Sequence, residues 1–149
     1  MSAVVALDQA TKQIVLSTLE RGEDVHLFPG LALTSIRNRG VAFGALDGKG
    51  GLVALLIAAA LVALLAYFAA RASQPLVWLP VGLLLGGALG NLTDRVRHGA
   101  VIDFVDPVAW PAFNLADSSI VLGVPLLLYA AERKASRPAG PETASPPAR

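Results

Sequence analysis

The sequence predicts an α-helical integral membrane protein with four transmembrane helices and a small hairpin outside the bilayer. Of its 149 residues, 54% are hydrophobic and only 15% charged, against about 25% charged in a soluble domain. Polar cover is too thin for water, so the solvent is lipid. Residues 52–70 run nineteen positions without a charge, enough at about 1.5 Å per residue to cross a ~30 Å hydrocarbon core. The polar residues gather in blocks, and the densest block runs from Gly86 to Ile120. Twelve basic and eleven acidic residues leave a net charge of +1, which gives no footprint for nucleic acid. With no Cys there is no disulfide framework, thiol nucleophile or lipidation site on the chain. His26 and His98 have no partner at metal-ligand spacing, so neither a metal nor a cofactor is expected.

In chain order, residues 1–19 are apolar except for Asp8, Gln9, Thr11, Lys12, Gln13 and a few hydroxyls. The segment lacks a basic leader and a cleavage site, and it meets a charge at Asp8, so it does not read as a cleaved signal peptide. Two mid-span charges would each cost roughly 2.5–3.5 kcal/mol on insertion scales. Asp8 and Lys12, four apart on one helical face, can pair with each other or turn into a bundle. Residues 20–51 are polar and turn-rich. Leu31, Leu33 and Ser35 alternate with Ala32, Thr34 and Ile36 as in a strand, and Arg37-Asn38-Arg39-Gly40 predicts a tight reversal into a second strand, with Asn38 and Gly40 in turn conformations.

After the 52–70 span, the short connector 71–75 makes a turn, and residues 72–93 form the next uncharged stretch. Gly82, Gly86 and Gly90 make a small-xxx-small stripe along it for close helix approach, and Asp94 continues that stripe by one turn. The Val101–Val105 run is β-like, Pro107 and Pro111 bracket an interfacial Trp110, and the last helix begins near Phe113 or Asn114, with Pro125 as a possible kink. Residues 135–149 have no apolar periodicity and read as a disordered tail after a single 1–134 membrane domain. Four spans put the termini on one side and the 20–51 hairpin with the 94–112 loop on the other. Basic residues on the two sides are too evenly divided to orient the chain.

Asn91, Asp94, Arg95, Asp103, Asn114 and Asp117 fall within 27 residues at one membrane face. Ionisable groups at such a place are functional candidates. Asn114-x-x-Asp117 also fits a helix cap, which is the local reading of those two residues. Asp103 and Asp117 stand 14 residues apart on different elements, so a reversal between them can bring the carboxylates together. At ~4 Å and an effective dielectric of ~20, two ionised carboxylates repel by about 4 kcal/mol, so they share one proton. Such a pair activates water and polarises a peptide carbonyl without a metal.

Asp8-Gln9-Ala10-Thr11-Lys12, Asn38-Arg39-Gly40-Val41-Ala42-Phe43-Gly44, Gly90-Asn91-Leu92-Thr93-Asp94-Arg95, Val101-Ile102-Asp103-Phe104 and Phe113-Asn114-Leu115-Ala116-Asp117-Ser118 resemble, in order, the sequence blocks of the bacterial lipoprotein signal peptidases (signal peptidase II). The resemblance spans Asp8 to Ala131. It implies four transmembrane helices with a small extracytoplasmic β-cradle in the bacterial inner membrane, with cytoplasmic termini. By the same resemblance the catalytic pair is Asp103 and Asp117. Asn38, Asn91, Arg95 and Asn114 line the substrate site, and Asp8, Lys12, Gly40 and Asp94 support it. The implied reaction removes the signal peptide of a prolipoprotein just before its diacylglyceryl-modified cysteine. The implied partners are that substrate and membrane lipid, with the enzyme a monomer. Only seven residues precede Asp8, fewer than the family usually carries, so the first span reads as truncated. A different class remains as the alternative: a small ion-coupled transporter using Asp94, Asp103 and Asp117 as a relay.

Overall fold

A computed structural model describes residues 1–40, 50–71 and 76–135. Helix α1 covers Ser2–Thr18 and is followed by strands β1 (Asp24–Phe28) and β2 (Leu31–Asn38). Helices α2 (Gly50–Ala69) and α3 (Trp78–His98) come next, then strand β3 (Val101–Pro107) and helix α4 (Leu115–Ala135). The second strand predicted beyond Gly40, much of the 71–75 connector and nearly all of the 135–149 tail lie outside the described residues.

The three strands form one antiparallel sheet in the order β1-β2-β3. This corrects the predicted hairpin. The reversal is made at Pro29-Gly30, where Gly30 has φ +96, so β1 precedes the predicted strand. Asn38 is the last residue of β2 and does not sit in a turn. A register shift between Leu33 and Ile36 breaks the alternation of β2, which lets Thr34 and Ser35 both be buried. The 94–112 stretch is also more regular than a loop: α3 continues to His98, Gly99 closes it in a left-handed conformation (φ 68), and β3 follows.

Helix α3 is the centre of the bundle and packs against α1, α2, α4 and β3. Its glycines explain how. A Cβ on Gly86 would stand 2.6 Å from Val4 Cβ of α1, and one on Gly90 2.6 Å from Asp8 Oδ2. On the neighbouring face, a Cβ on Gly87 would collide with the Ala116 carbonyl of α4. The predicted stripe is therefore a real contact face, with Gly87 added for a second helix. On the α2 side, Leu61, Val77, Val81, Leu85 and Ala130 form the apolar core.

Polarity runs opposite to that of a water-soluble bundle. Asp8 and Lys12 are 0% and 2% exposed in α1, whereas Leu7 and Ile14 of the same helix are 59% and 61% exposed. Large apolar residues likewise cover the outside of α2 and α4, among them Leu55, Val62, Val121 and Leu128. Such a surface is suited to lipid. By length and composition, two helices qualify as membrane spans among the described residues, Gly51–Ala69 and Leu115–Arg133. Helix α1, at 17 residues, is shorter than either span, and the second half of α3 carries Asn91, Asp94 and Arg95; the charged pair Asp8 and Lys12 of α1 and Asn91 and Asp94 of α3 are nonetheless buried within the bundle.

Candidate active site

Asp103 and Asp117 reach one another because the chain between them folds back on β3. Phe113 N donates to the Val105 carbonyl at 2.9 Å, and Val105 N returns a bond to the Phe113 carbonyl at 2.9 Å. That bridge delivers Asn114, and the α4 start behind it, alongside Asp103. On the other side, Asp103 pairs with Ile36 across the β2–β3 ladder, which leaves Asn38 as its diagonal neighbour. Asn38 Nδ2 donates to Asp103 Oδ2 at 2.9 Å.

The α4 start is a reciprocal cap. Asn114 Oδ1 accepts from Asp117 N at 2.9 Å, and Asp117 Oδ2 accepts from Asn114 N at 3.3 Å. The cap does not compete with a functional reading, since the same residues carry the rest of the network. Asn114 Nδ2 donates to Asp103 Oδ1 at 2.7 Å and to Asn91 Oδ1 at 3.1 Å. Asn91 Nδ2 in turn donates to Asp117 Oδ1 at 2.7 Å. All four carboxylate oxygens thus accept an N–H from an amide. Asp103 is 2% exposed. Burial, reinforced by the charge of Asp117, pushes it up to about 6, against the opposing pull of the Asn38 and Asn114 bonds and of Lys12.

A second cluster lies behind the first. Lys12 Nζ makes ion pairs with Asp8 Oδ2 at 2.8 Å and Asp94 Oδ2 at 2.7 Å, and donates to Asn91 Oδ1 at 3.1 Å. The remaining oxygens are also used. Asp8 Oδ1 accepts from Ala116 N at 2.9 Å, a free amide of the first turn of α4, where a carboxylate suits the helix dipole. Asp94 Oδ2 accepts from Ile102 N at 3.2 Å, and its Oδ1 accepts from Gln9 Nε2 at 2.9 Å. Arg95 is half-buried beside both groups. Its Nη2 donates to the Gly40 carbonyl at 2.7 Å, and its buried Nε has no partner among the described residues.

The chain's similarity to known proteins can be set against this geometry. The model of the signal peptidase (SPase) II family matches residues 1–132. The chain belongs to the signal peptidase II family. Among its relatives, the lipoprotein signal peptidase of Halothermothrix orenii is 41% identical over 126 residues, covering 84% of this chain and 87% of the relative. That of Syntrophomonas wolfei is 47% identical over 126 residues, covering 84% and 85%. A bacterial membrane enzyme solved by the in meso method at 2.3 Å resolution superposes with a TM-score of 0.84 at 36% identity, covering 96% of this chain and 91% of that one. A second, solved at 1.9 Å, gives a TM-score of 0.78 at 38% identity, covering 87% and 88%. Signal peptidase II membership sets the transporter alternative aside.

Every residue singled out in the sequence is found in or against these two clusters. Asn38, Asn91 and Asn114 hold the carboxylates, Arg95 and Gly40 close one side, and Asp8, Lys12 and Asp94 close the back. Gln9 escaped the sequence reading. It ties Asp8, Asp94 and the Gly90 carbonyl together through one amide. Its place beside Asp8 and three residues before Lys12 was the available signal.

Proposed function

We propose that this chain is an aspartic endopeptidase of the inner membrane that removes the signal peptide from prolipoproteins, cutting before the diacylglyceryl-modified cysteine. Its catalytic pair is Asp103 and Asp117. The observation that carries the reading is the meeting of a buried carboxylate, Asp103 from a strand, and a half-buried one, Asp117 from a helix start, in a single network of donated amide bonds. One carboxylate takes a proton from water while the water oxygen attacks the scissile carbonyl carbon. The other carboxyl gives its proton to the carbonyl oxygen. The tetrahedral intermediate then collapses: the C–N bond breaks, the proton held by the first carboxyl passes to the leaving nitrogen, and a hydroxyl of the intermediate returns its proton to the second carboxylate as the new carbonyl forms. Arg95 Nε, a buried donor without a described partner, binds a carbonyl of the substrate, and Asn38, Asn91 and Asn114 line the site while holding the acids.

In this reading α1 and α3 cross the membrane beside α2 and α4, with their polar faces inward and Leu7 and Ile14 toward lipid. The sheet and the two aspartates lie at the external face, and the termini are cytoplasmic. The test is cleavage by the purified protein in detergent of a prolipoprotein with and without its diacylglyceryl group. Cleavage of the modified form alone supports the reading, and no cleavage by folded protein contradicts it.

A further inference from the structure

Resting on the aspartic reading above, we infer that Lys12 is a positioning residue for the reaction: its buried ammonium fixes which end of the Asn91 amide faces Asp117. The two ends of an Asn amide are nearly isosteric, and their surroundings decide which is donor and which acceptor. Asn91 Oδ1 receives two donors, Lys12 Nζ at 3.1 Å and Asn114 Nδ2 at 3.1 Å. Only the amide NH2 is then left to meet Asp117 Oδ1, at 2.7 Å. Reversal would set the NH2 against the ammonium and against the NH2 of Asn114, and the carbonyl oxygen against a carboxylate. All three contacts would repel.

Asn114 is fixed from its own side, because its Oδ1 accepts Asp117 N. Donation therefore runs in one direction, from Lys12 to Asn91 to Asp117, and from Asn114 to Asp103. Lys12 cannot turn away. An ammonium has three N–H donors, and Asp8 Oδ2, Asp94 Oδ2 and Asn91 Oδ1 occupy them. Joining α1 to α3 needs only the two carboxylates; the bond to Asn91 is the part that a role in helix packing leaves unexplained. The charge acts too. Lys12 and Asp8 from α1, Asp94 and Arg95 from α3 and Asp117 from α4 are the titratable groups of the two clusters around Asp103, while β2 faces it with the neutral Asn38.

The experiment measures kcat, KM and the pH profile of prolipoprotein cleavage in detergent for folded protein. In the double variant Lys12→Met with Asp8→Asn, the net charge of the cluster is kept and the ammonium is lost. We expect kcat to fall by about tenfold or more with KM little changed, and the acidic limb to move to higher pH, because the cation favouring ionised Asp103 is gone. Asp94→Asn keeps Lys12 on Asn91 and makes the cluster more positive, so its acidic limb should move to lower pH. Wild-type kcat and an unmoved limb in the folded double variant would overturn the inference. If that variant does not fold, Asn91→Asp takes its place, since it keeps an acceptor for Lys12 but can no longer donate to Asp117; wild-type kcat in that folded variant overturns the inference. Failure of the aspartic reading is seen separately, as retained turnover in Asp103→Asn.

Discussion

Two pairs of carboxylates lie side by side in this bundle, three of the four acids buried and Asp117 half-buried, and they are treated differently. Asp8 and Asp94 share a cation, Lys12, and take further bonds from Gln9 and from backbone amides of α4 and β3. Among the described residues, Asp103 and Asp117 receive hydrogen bonds from neutral N–H donors. In the first pair the charge is compensated where it stands, and the carboxylates serve as clamps between α1, α3 and α4. In the second it is solvated but not neutralised, so protonation stays adjustable near neutral pH, as Asp103 at about 6 illustrates. In the proposed reading, a cation placed one amide away, rather than in contact, separates a structural carboxylate from a reactive one.

The largest expected effect breaks the first pair. Lys12→Met alone strands Asp8 and Asp94 without their cation in a site where both are about 1% exposed or less. Losing one partner of a buried ion pair costs about 3–5 kcal/mol. Thermal unfolding in detergent should show a large fall in Tm or no folded protein; an unchanged Tm would mean the cluster is not what joins the helices. By contrast, the cost of Asp103→Asn should depend on pH. A carboxyl raised from 3.8 to about 6 in the folded protein contributes stability that is fully present below pH ~4, falls as pH rises through ~6, and stays lost above it. The neutral amide has no such loss but sets its NH2 against the donor amides of Asn38 and Asn114, so the variant's Tm relative to wild type should be higher at pH 8 than at pH 4.

Gly86→Leu comes next. Its side chain must enter the space of Val4 on α1, and overpacking costs typically about 1–3 kcal/mol. Folded yield should drop together with activity, whereas normal yield would place lipid, not α1, on that face. The smallest effect is on rate versus pH. With Asp103 as the base of the pair and Asp117 as its acid, cleavage should decline as pH falls below about 6, where Asp103 takes a proton of its own; a limb far from that value would detach the rate from Asp103.

Local pattern made much of this legible. The uncharged 52–70 run, the glycine stripe, the β-like Asp103 segment and the Asn114-x-x-Asp117 cap each obey a short-range rule, and the ordered blocks tied them to a family. Strand β1 was hidden because all five of its residues are exposed, so no buried face imposes a period on Asp24–Phe28. Partnerships between distant residues were hidden for another reason. The bond from Ala116 N to Asp8 joins residues 108 positions apart, and nothing near Lys12 in the chain points to Asp94 or Asn91. A pair four apart looked self-sufficient, when in the fold it is the anchor of a site built by α3, β3 and α4.

The central claim is that Asp103 and Asp117 act as one unit, and it is tested most directly by prolipoprotein cleavage in wild type, Asp103→Asn, Asp117→Asn and the double variant, with and without EDTA. Each single change keeps the side-chain shape but removes proton exchange and turns one acceptor into a donor, so each should abolish turnover in the folded protein, and the double variant should be no worse than either. Chelation should leave wild-type activity unchanged. Substantial turnover in either single variant, or losses that multiply in the double one, would contradict the account.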